Sequence, residues 1–264
     1  TFFGRAPHVA IDPYKVVAIG AGIQGHLLAG GRRDFLLLDV IPLALGIETL
    51  GGTFSKIITG NTTIPIEESE TFTTNVDDQT SIDVNIYQGE RELIKDCRAL
   101  GQFKLRGIPP MKGGLPLVGV MFRVDANGIL TVSAIEKRSG KKAEIEVIPF
   151  HGLTQFEIER IMEDSFEHAI DDFNERQLIE FRLTAERVFQ GIEQNWNVAE
   201  SSLSQTELDK IRQQMEVVRQ SIKGQDSQAL KAQLDVLGEL TRPLADTAMG
   251  RSILSELQGA GGAD

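Results

Sequence analysis

The stretch VGVMFRVDANGILTVSAIE, residues 118–136, decides what kind of fold the sequence encodes. Apolar side chains occupy every second position on both sides of a polar break, at Val118, Val120, Phe122 and Val124 and then at Leu130, Val132 and Ala134. A period of two is typical of a strand with one buried face. The break contains Asn127-Gly128, which is a strong β-hairpin signal. We therefore predict two antiparallel strands joined by a short turn.

The alternating pattern extends over residues 40–149. Ile82 and Val84 share one face of another candidate strand, while Asp83 and Asn85 share the other face. Turn signals rich in glycine, asparagine and aspartate separate such runs at short intervals. Strands with one apolar face and no helices between them predict an antiparallel β-sandwich or barrel.

At Gly152 the apolar period changes to 3.6, which predicts helices. Thr154 with Glu157 has the pattern of a capping box at the start of the first helix, and Ser204 with Glu207 has the same pattern further on. The predicted buried face of the first helix consists of Ile158, Ile161, Met162, Phe166, Ala169, Ile170 and Phe173.

The first helical pattern continues to about Trp196, which makes it more than about forty residues long. We expect part of this helix to lie across the sandwich, because it is too long to pack wholly within a small bundle. Asp226 is predicted to cap a third helix, and Pro243 to start or kink a fourth. We interpret the apolar stripes as the core of a helical bundle.

Charge and cysteine content limit the classes of function. The chain has 264 residues with 27 basic and 38 acidic side chains, and its net charge of -11 argues against a nucleic-acid partner or a general binder of anionic membranes. Cys97 is the single cysteine, so no disulfide can form within the chain and a reducing compartment is expected. The histidines show no metal-ligand spacing, and no apolar run approaches the roughly 20 residues of a membrane span.

The stretch VVAIGAGIQG, residues 16–25, contains G-x-G-x-x-G at Gly20, Gly22 and Gly25, with Asp39 at about the distance that a dinucleotide-binding fingerprint requires. A Rossmann crossover needs a helix of roughly a dozen residues between its strands, and the segment HLLAGG that follows is too short. The apolar residues are also spaced as on one buried helix. From the residues alone, an NAD-binding turn and a glycine-tolerant helix both stay open.

No arrangement for catalysis is evident in the sequence. It contains neither a G-x-S-x-G nucleophile elbow nor a G-x-x-x-x-G-K-[ST] phosphate-binding loop. We interpret Cys97 as a structural thiol in a loop that follows a strand. Glu90, Glu92 and Asp96 are interpreted as the charges of a solvated loop rather than as an acid-base pair. We expect no catalytic residue, no metal and no bound cofactor in this chain.

Three long motifs resemble the Hsp70 chaperone family: DVIPLALGIETLGGTFSKIITGNTTIP (39–65), QGERELIKDC (88–97) and VDANGILTVSA (124–134). The resemblance covers the whole chain, places VVAIGAGIQG in a helix, and implies that the chain is the C-terminal piece of a longer protein. The implied segments are a remnant of an actin-like ATPase domain (1–34), an interdomain linker (35–40) with Leu36, Leu37, Leu38 and Asp39, a peptide-binding β-sandwich (41–150), an α-helical lid (151–258) and a disordered tail (259–264).

The resemblance also implies a site that holds an extended client peptide by backbone hydrogen bonds and one apolar pocket. The matching positions are Ile47, Thr49, Leu50, Phe72, Thr73, Asn75, Ile82, Val84 and Val118. Leu50 and Asn75 are implied as the two halves of an arch over the peptide. The residues support such a site in part, because Ile82 and Val84 share a face. The alternative is that these side chains only fill the core of the sandwich.

For the intact protein, the resemblance implies ATP and Mg as cofactors, ATP hydrolysis, a J-domain co-chaperone, and the cytoplasm of a bacterium as the location. RELIKDCR (91–98) and the divergent lid resemble a specialised branch that serves iron-sulfur cluster assembly, with a scaffold protein as client. A branch of general protein-folding chaperones is the alternative.

Positions that form the latch of the lid in the family differ in this chain. The resemblance implies a basic residue where Gly113 stands, and an acid and a histidine where Glu186 and Gln190 stand, while Asp77 keeps its acidic position. We therefore expect a weaker or different latch between lid and sandwich and a faster release of the client peptide.

Overall fold

The structure, a computed structural model, describes residues 12, 14–29, 39–149 and 153–260. The chain divides into two compact units, residues 1–39 and 40–264. In the first unit, helix α1 (Val16–Leu28) contains all of VVAIGAGIQG. The hypothesis of a dinucleotide-binding turn is therefore wrong, because that fingerprint needs its glycines between a strand and a helix. The helical alternative is confirmed. Leu36, Leu37 and Leu38 of the expected linker lie outside the described residues.

Within residues 39–149 the chain forms an antiparallel β-sandwich. Its strands are β1 (Asp39–Ile41), β2 (Leu45–Thr49), β3 (Thr53–Ile58), β4 (Thr62–Ile64), β5 (Ile66–Phe72), β6 (Ser81–Gln88), β7 (Arg98–Arg106), β8 (Val118–Val124), β9 (Leu130–Glu136) and β10 (Lys142–Val147). One sheet has the order β10-β9-β8-β5 and the other β3-β2-β6-β7, while β1 pairs with β4. Neighbouring strands in both four-stranded sheets run antiparallel, which confirms the predicted fold.

The hairpin of β8 and β9 forms as predicted. Val118 pairs with Glu136 at its open end and Val124 with Leu130 beside the turn. In the turn, Asp125 Oδ1 accepts hydrogen bonds from the backbone N–H groups of Asn127 and Ile129, both at 2.9 Å. Gly128 has a φ of 78°, in the left-handed region that favours glycine. The turn therefore depends on one aspartate and one glycine.

The core of the sandwich lies between the two sheets and takes side chains from both. Its buried members are Ile41, Leu45, Ile47, Ile58, Ile64, Val84, Ile86, Leu105, Ile108, Val118, Val120, Phe122, Val124, Leu130, Val132 and Ala134. The alternation that predicted the strands therefore reports correctly which face of β8 and β9 is buried.

Helices follow from residue 155 onward: α2 (Gln155–Glu167), α3 (Ala169–Gln194), α4 (Trp196–Ser202), α5 (Gln205–Ile222) and α6 (Ser227–Ala260). Both predicted capping boxes are present, with Thr154 at the start of α2 and Ser204 at the start of α5. Asp226 Oδ1 accepts hydrogen bonds from the backbone N–H groups of Gln228 and Ala229, as its predicted capping role requires.

The helix boundaries differ from the prediction in three respects. The expected first helix is divided at His168, whose φ of -102° and ψ of 5° are not helical, so that α2 and α3 are separate. Pro243 does not start a new helix, since it lies inside α6. α6 also continues to Ala260, past the predicted end of the lid at residue 258. Sequence period alone does not locate a break of one residue.

The predicted buried face of the first helix is largely exposed. Phe166 is 77% exposed and Ile170 is 76% exposed, and α2 has no buried residue. The bundle core instead takes its buried side chains from α3, α5 and α6: Leu178, Ala185, Ile192, Ile211, Met215, Val218, Leu230, Leu234 and Leu237. Bundle packing was therefore predicted correctly for the later helices and wrongly for α2 and the start of α3.

Candidate functional site

A cavity of about 1190 Å³ lies between the sandwich and α3. Its lining includes every residue that the sequence analysis proposed for a peptide site: Ile47, Thr49, Leu50, Phe72, Thr73, Asn75, Ile82, Val84 and Val118. These residues come from β2, β5, β6, β8 and the loops that follow β2 and β5. The fold thus brings together positions that are scattered along more than half of the sandwich sequence.

One side of the cavity is apolar. Ile47, Val84 and Val118 are at most 5% exposed and belong to the sandwich core, and Phe72 and Ile82 pack against that core while half-buried. Phe72 faces Val118 directly across the β5–β8 pair. An apolar ligand side chain would contact branched aliphatic and aromatic groups here, which is the usual composition of a binding pocket.

The turn after β2 forms one rim of the cavity and carries Leu50, which is 50% exposed. Thr53 Oγ1 holds this turn by donating to the Leu50 carbonyl at 3.2 Å. Gly51 has a φ of +80°, and a Cβ at this position would lie 2.3 Å from Cγ2 of Ile179 in α3. Glycine is therefore needed here both for the backbone conformation and for the approach of α3.

Helix α3 closes the cavity on the side opposite the sandwich core. Its contribution to the lining consists of Arg176, Glu180, Leu183, Thr184 and Arg187. Arg176 and Glu180 form an ion pair along the helix at 2.9 Å. The cavity therefore joins an apolar side to a polar and charged side, an arrangement that suits an extended peptide with one apolar side chain.

The lid is bonded to the sandwich by ion pairs between the segment after β6 and the start of α3. Arg91 binds Asp172 through two hydrogen bonds, one of them from Nη2 to Oδ1 at 2.7 Å, and Asp172 is only 4% exposed. This bidentate bond raises the pKa of Arg91 and lowers the pKa of Asp172. Both groups are therefore charged at neutral pH.

Two further pairs join the same surfaces. Arg176 Nη1 contacts Glu92 Oε2, and Lys95 Nζ contacts Glu175 Oε1 at 2.9 Å in a largely exposed position. Together with the contact of Ile179 at Gly51, these pairs confirm that part of the predicted long helix lies across the sandwich.

The interpretation of Glu90 and Glu92 as charges of a solvated loop is wrong. Glu90 accepts a hydrogen bond from the Ala44 backbone N–H at 2.7 Å and pairs with Lys56, while Glu92 pairs with Lys56 and with α3. Both carboxylates are thus used in structure. Sequence reasoning missed the role of Arg91 and Asp172 as well, because their partners lie about eighty positions away and no local pattern connects them.

On the other rim of the cavity, Asn75 lies in the loop between β5 and β6. Asp77 of that loop accepts a hydrogen bond from the Gly113 backbone N–H at 2.8 Å, so its partner belongs to the sandwich. Glu186 and Gln190 are exposed on α3, and in the described part of the chain neither side chain bonds to the sandwich. The faster release of the client peptide, which we expect from these latch positions, stays a prediction.

Cys97 lies between a short 3-10 helix (Ile94–Asp96) and β7, beneath the segment that carries Arg91. Burial raises the pKa of its thiol to about 12. Such a thiol is almost fully protonated at neutral pH, which agrees with its interpretation as structural.

Within residues 12, 14–29, 39–149 and 153–260, no group of His, Cys, Asp or Glu side chains is arranged to hold a metal ion. In the same residues, no helix is both long enough and apolar enough to span a membrane.

A cleft in a β-sandwich with a helical bundle across it is the architecture of a substrate-binding domain with its lid. The chain belongs to the Hsp70 family, since the family model described as Hsp70 protein matches residues 1–250.

Curated relatives agree with this assignment. The chain is 45% identical over 260 residues to a protein of Methylococcus capsulatus named "Chaperone protein HscA homolog", a match that covers 98% of this chain and 42% of that protein. Proteins of the same name from Herminiimonas arsenicoxydans (46% over 261 residues, 98% of this chain and 42% of the relative) and Pseudomonas putida (45% over 261 residues, 97% and 42%) are similarly close. The chain thus spans 42% of the length of these relatives.

Proposed function

We propose that this chain is the client-binding part of an ATP-dependent Hsp70 chaperone, and that it holds an extended apolar segment of a client in the cavity beneath α3. The observation that carries the proposal is the convergence of the nine expected peptide-site residues on one cavity that the lid closes. The segments 41–150 and 151–258 are then the peptide-binding sandwich and the lid, apart from the two further residues of α6.

The recognition chemistry follows from the two sides of the cavity. An extended peptide offers backbone hydrogen bonds to the rims, while an alternate side chain enters the apolar side near Ile82 and Val84. Burial of one Leu, Ile or Val side chain there stabilises the complex by roughly 1.5 to 3 kcal/mol. Leu50 and Asn75, on opposite rims, are the proposed halves of the arch over the peptide.

The proposed client is a scaffold protein of iron-sulfur cluster assembly. The resemblance of RELIKDCR and the HscA name of the relatives support this choice. The alternative is a general DnaK-type chaperone that binds many unfolded proteins, since both kinds of client would use the same pocket residues.

In the intact protein, ATP with Mg would bind to an ATPase domain of which residues 1–34 are the C-terminal remnant, and a J-domain co-chaperone would stimulate ATP hydrolysis. Leu36 to Asp39 would couple nucleotide to client binding, and the protein would act in the bacterial cytoplasm. We expect the fragment alone to bind clients without hydrolysing ATP.

Fluorescence anisotropy of the purified chain with two labelled peptides tests this function. One peptide is centred on leucines and the other carries a Leu-Pro-Pro-Val-Lys segment, with NADH as a control ligand. Preference for the proline-containing peptide supports the iron-sulfur role, whereas preference for the leucine peptide supports the general chaperone. Failure to bind either peptide contradicts the proposal.

A matched pair of variants locates the binding site. Ile82→Asp places a charge on the apolar side of the cavity and is expected to abolish saturable binding. Ile135→Asp makes the same change on an exposed position of β9 that does not line the cavity, and it should leave binding unchanged. Equal loss in both variants would mean that the peptide binds elsewhere.

A further inference from the structure

The rim that carries Asn75 is held from outside by a second loop, residues 107–117. Three of the hydrogen bonds that connect the two loops lie near Asn75: from the Gly113 N–H to Asp77 Oδ1, from the Gly114 N–H to the Thr74 carbonyl, and from the Asp78 N–H to the Met111 carbonyl, each at 2.8 Å. The bonds lie on both sides of Asn75 along its loop. The backbone of Asn75 is therefore supported by the second loop.

The contact between the loops is close only because residue 113 is glycine. A Cβ on Gly113 would lie 2.9 Å from the Asn75 carbonyl oxygen and 3.1 Å from its carbonyl carbon. Cβ atoms do not approach backbone atoms to less than 3.0 Å in real proteins, so one of the loops would have to move. Gly113 is not among the glycines with positive φ, so the requirement concerns space rather than backbone conformation.

The geometry points to Gly113 as a positioning residue for client retention. Gly113 allows the 107–117 loop to pack against the carbonyl of Asn75 and thereby holds this rim over the cavity. On this side, contacts within the sandwich therefore retain the client. This inference rests on the proposed function, because it requires that a peptide occupies the cavity. It also explains how the rim is held without a bond to Glu186 or Gln190 of the lid.

The test measures the dissociation rate of the labelled leucine-centred peptide after addition of excess unlabelled peptide. Gly113→Ala is expected to increase this rate about tenfold, because the added methyl group displaces the rim. Gly119→Ala is the matched control: its Cβ would lie 3.5 Å from Lys137 Cε, an ordinary contact, and its φ is not positive. The control should keep the dissociation rate and the unfolding temperature of the unchanged protein.

A second pair of variants tests the hydrogen bond without adding bulk. Asp77→Ala removes the acceptor for the Gly113 N–H and should speed release about threefold, while Asp77→Asn keeps an oxygen acceptor and should restore the dissociation rate of the unchanged protein. A merely structural role would change the unfolding temperature without this recovery.

The outcomes separate the inference from the proposed function. If the unchanged protein binds neither peptide, both are wrong. If it binds the leucine-centred peptide, but Gly113→Ala and Asp77→Ala release it at the original rate, only the role of Gly113 is wrong. If Gly113→Ala does not fold, the two Asp77 variants decide.

Discussion

The two rims of the cavity are held in place by different physics. Next to the rim formed by the turn after β2, ion pairs from residues 91–95 connect the sandwich to α3, among them the bidentate bond of Arg91 with Asp172. On the side of residues 73–80, hydrogen bonds and the close approach of Gly113 connect two loops of the sandwich to each other. Ion pairs thus attach the lid next to one rim, while the other rim is supported by contacts within the sandwich and without the lid.

This difference means that the attachment of the lid and the support of the Asn75 rim can be changed independently of each other. A change at Arg91 or Asp172 acts on the attachment of α3, whereas a change at Gly113 acts on the sandwich alone. Substitutions on both sides should speed peptide dissociation, but those at the ion pairs should also reduce the hydrogen-exchange protection of α3, which gives a direct way to test the comparison.

The largest effect is expected for Asp172→Ala. Removal of this carboxylate deprives Arg91, whose side chain is 15% exposed, of its bidentate partner and leaves it a longer contact to Asp96 at 3.7 Å, which costs about 3 kcal/mol. Hydrogen exchange should show loss of protection in the first turns of α3, and the labelled peptide should dissociate about 100-fold faster. Asp171→Ala, at the neighbouring exposed position, is the control and should show neither change. Similar behaviour of the two variants would refute the buried ion pair as the attachment of the lid.

Gly51→Ala should have the next largest effect. Its Cβ would overlap Ile179 of α3, which should weaken lid contact by about 2 kcal/mol beyond the cost of its backbone strain. Gly52→Ala measures that strain, because Gly52 has a similar φ of +75° but its Cβ would lie 3.7 Å from the nearest atom, in Ile94. Thermal unfolding of the two variants gives the difference. Truncation of Ile179 to alanine should rescue Gly51→Ala, and an equal cost for both glycine variants would argue against the contact.

We expect the lid to detach from the sandwich at acid pH, because protonation of Asp172 breaks its bond with Arg91. The bond with Arg91 lowers the pKa of Asp172 in the folded chain, so its contribution to stability is complete above the ordinary aspartate value of about 3.9 and is lost as the pH falls through the lower, folded value. Hydrogen exchange of α3 between pH 5 and 2 checks this window. Asp172→Asn should lack this component of the acid transition of α3. If the transition is unchanged in that variant, other carboxylates cause it.

The smallest effect is expected for the exposed pair of Lys95 and Glu175. Their side chains are 58% and 48% exposed, so solvent screens the attraction and Glu175→Ala should cost less than about 1 kcal/mol. Peptide dissociation at low and high salt provides the measurement. A cost as large as that of Asp172→Ala would show that burial does not govern the attachment.

Local features of the fold were predictable because their causes are local. The alternation through residues 118–136 and the turn at Gly128 specify a hairpin without reference to the rest of the chain. The caps at Thr154 and Ser204 likewise depend on a partner three residues away. The residues proposed for the peptide site, in contrast, were predicted through the family resemblance, since their alternation is equally compatible with a filled core.

The errors have an equally physical origin. An amphipathic period indicates that a helix has an apolar face, but it does not indicate whether another element covers that face. Phe166 and Ile170 are exposed for this reason, although their spacing is the same as that of buried side chains in α5. The break at His168 is a single non-helical residue in an otherwise continuous pattern, and no residue type marks it.

The strands, caps, turns and family membership can thus be read from the amino-acid sequence, because each depends on neighbouring residues or on long motifs. The pairing of Arg91 with Asp172, the support of Asn75 by Gly113, and the fit of Ile179 against Gly51 cannot be read in this way. They join positions between 38 and 128 residues apart, and a close approach of this kind is settled by packing in three dimensions, where a single Cβ decides whether two backbones can meet.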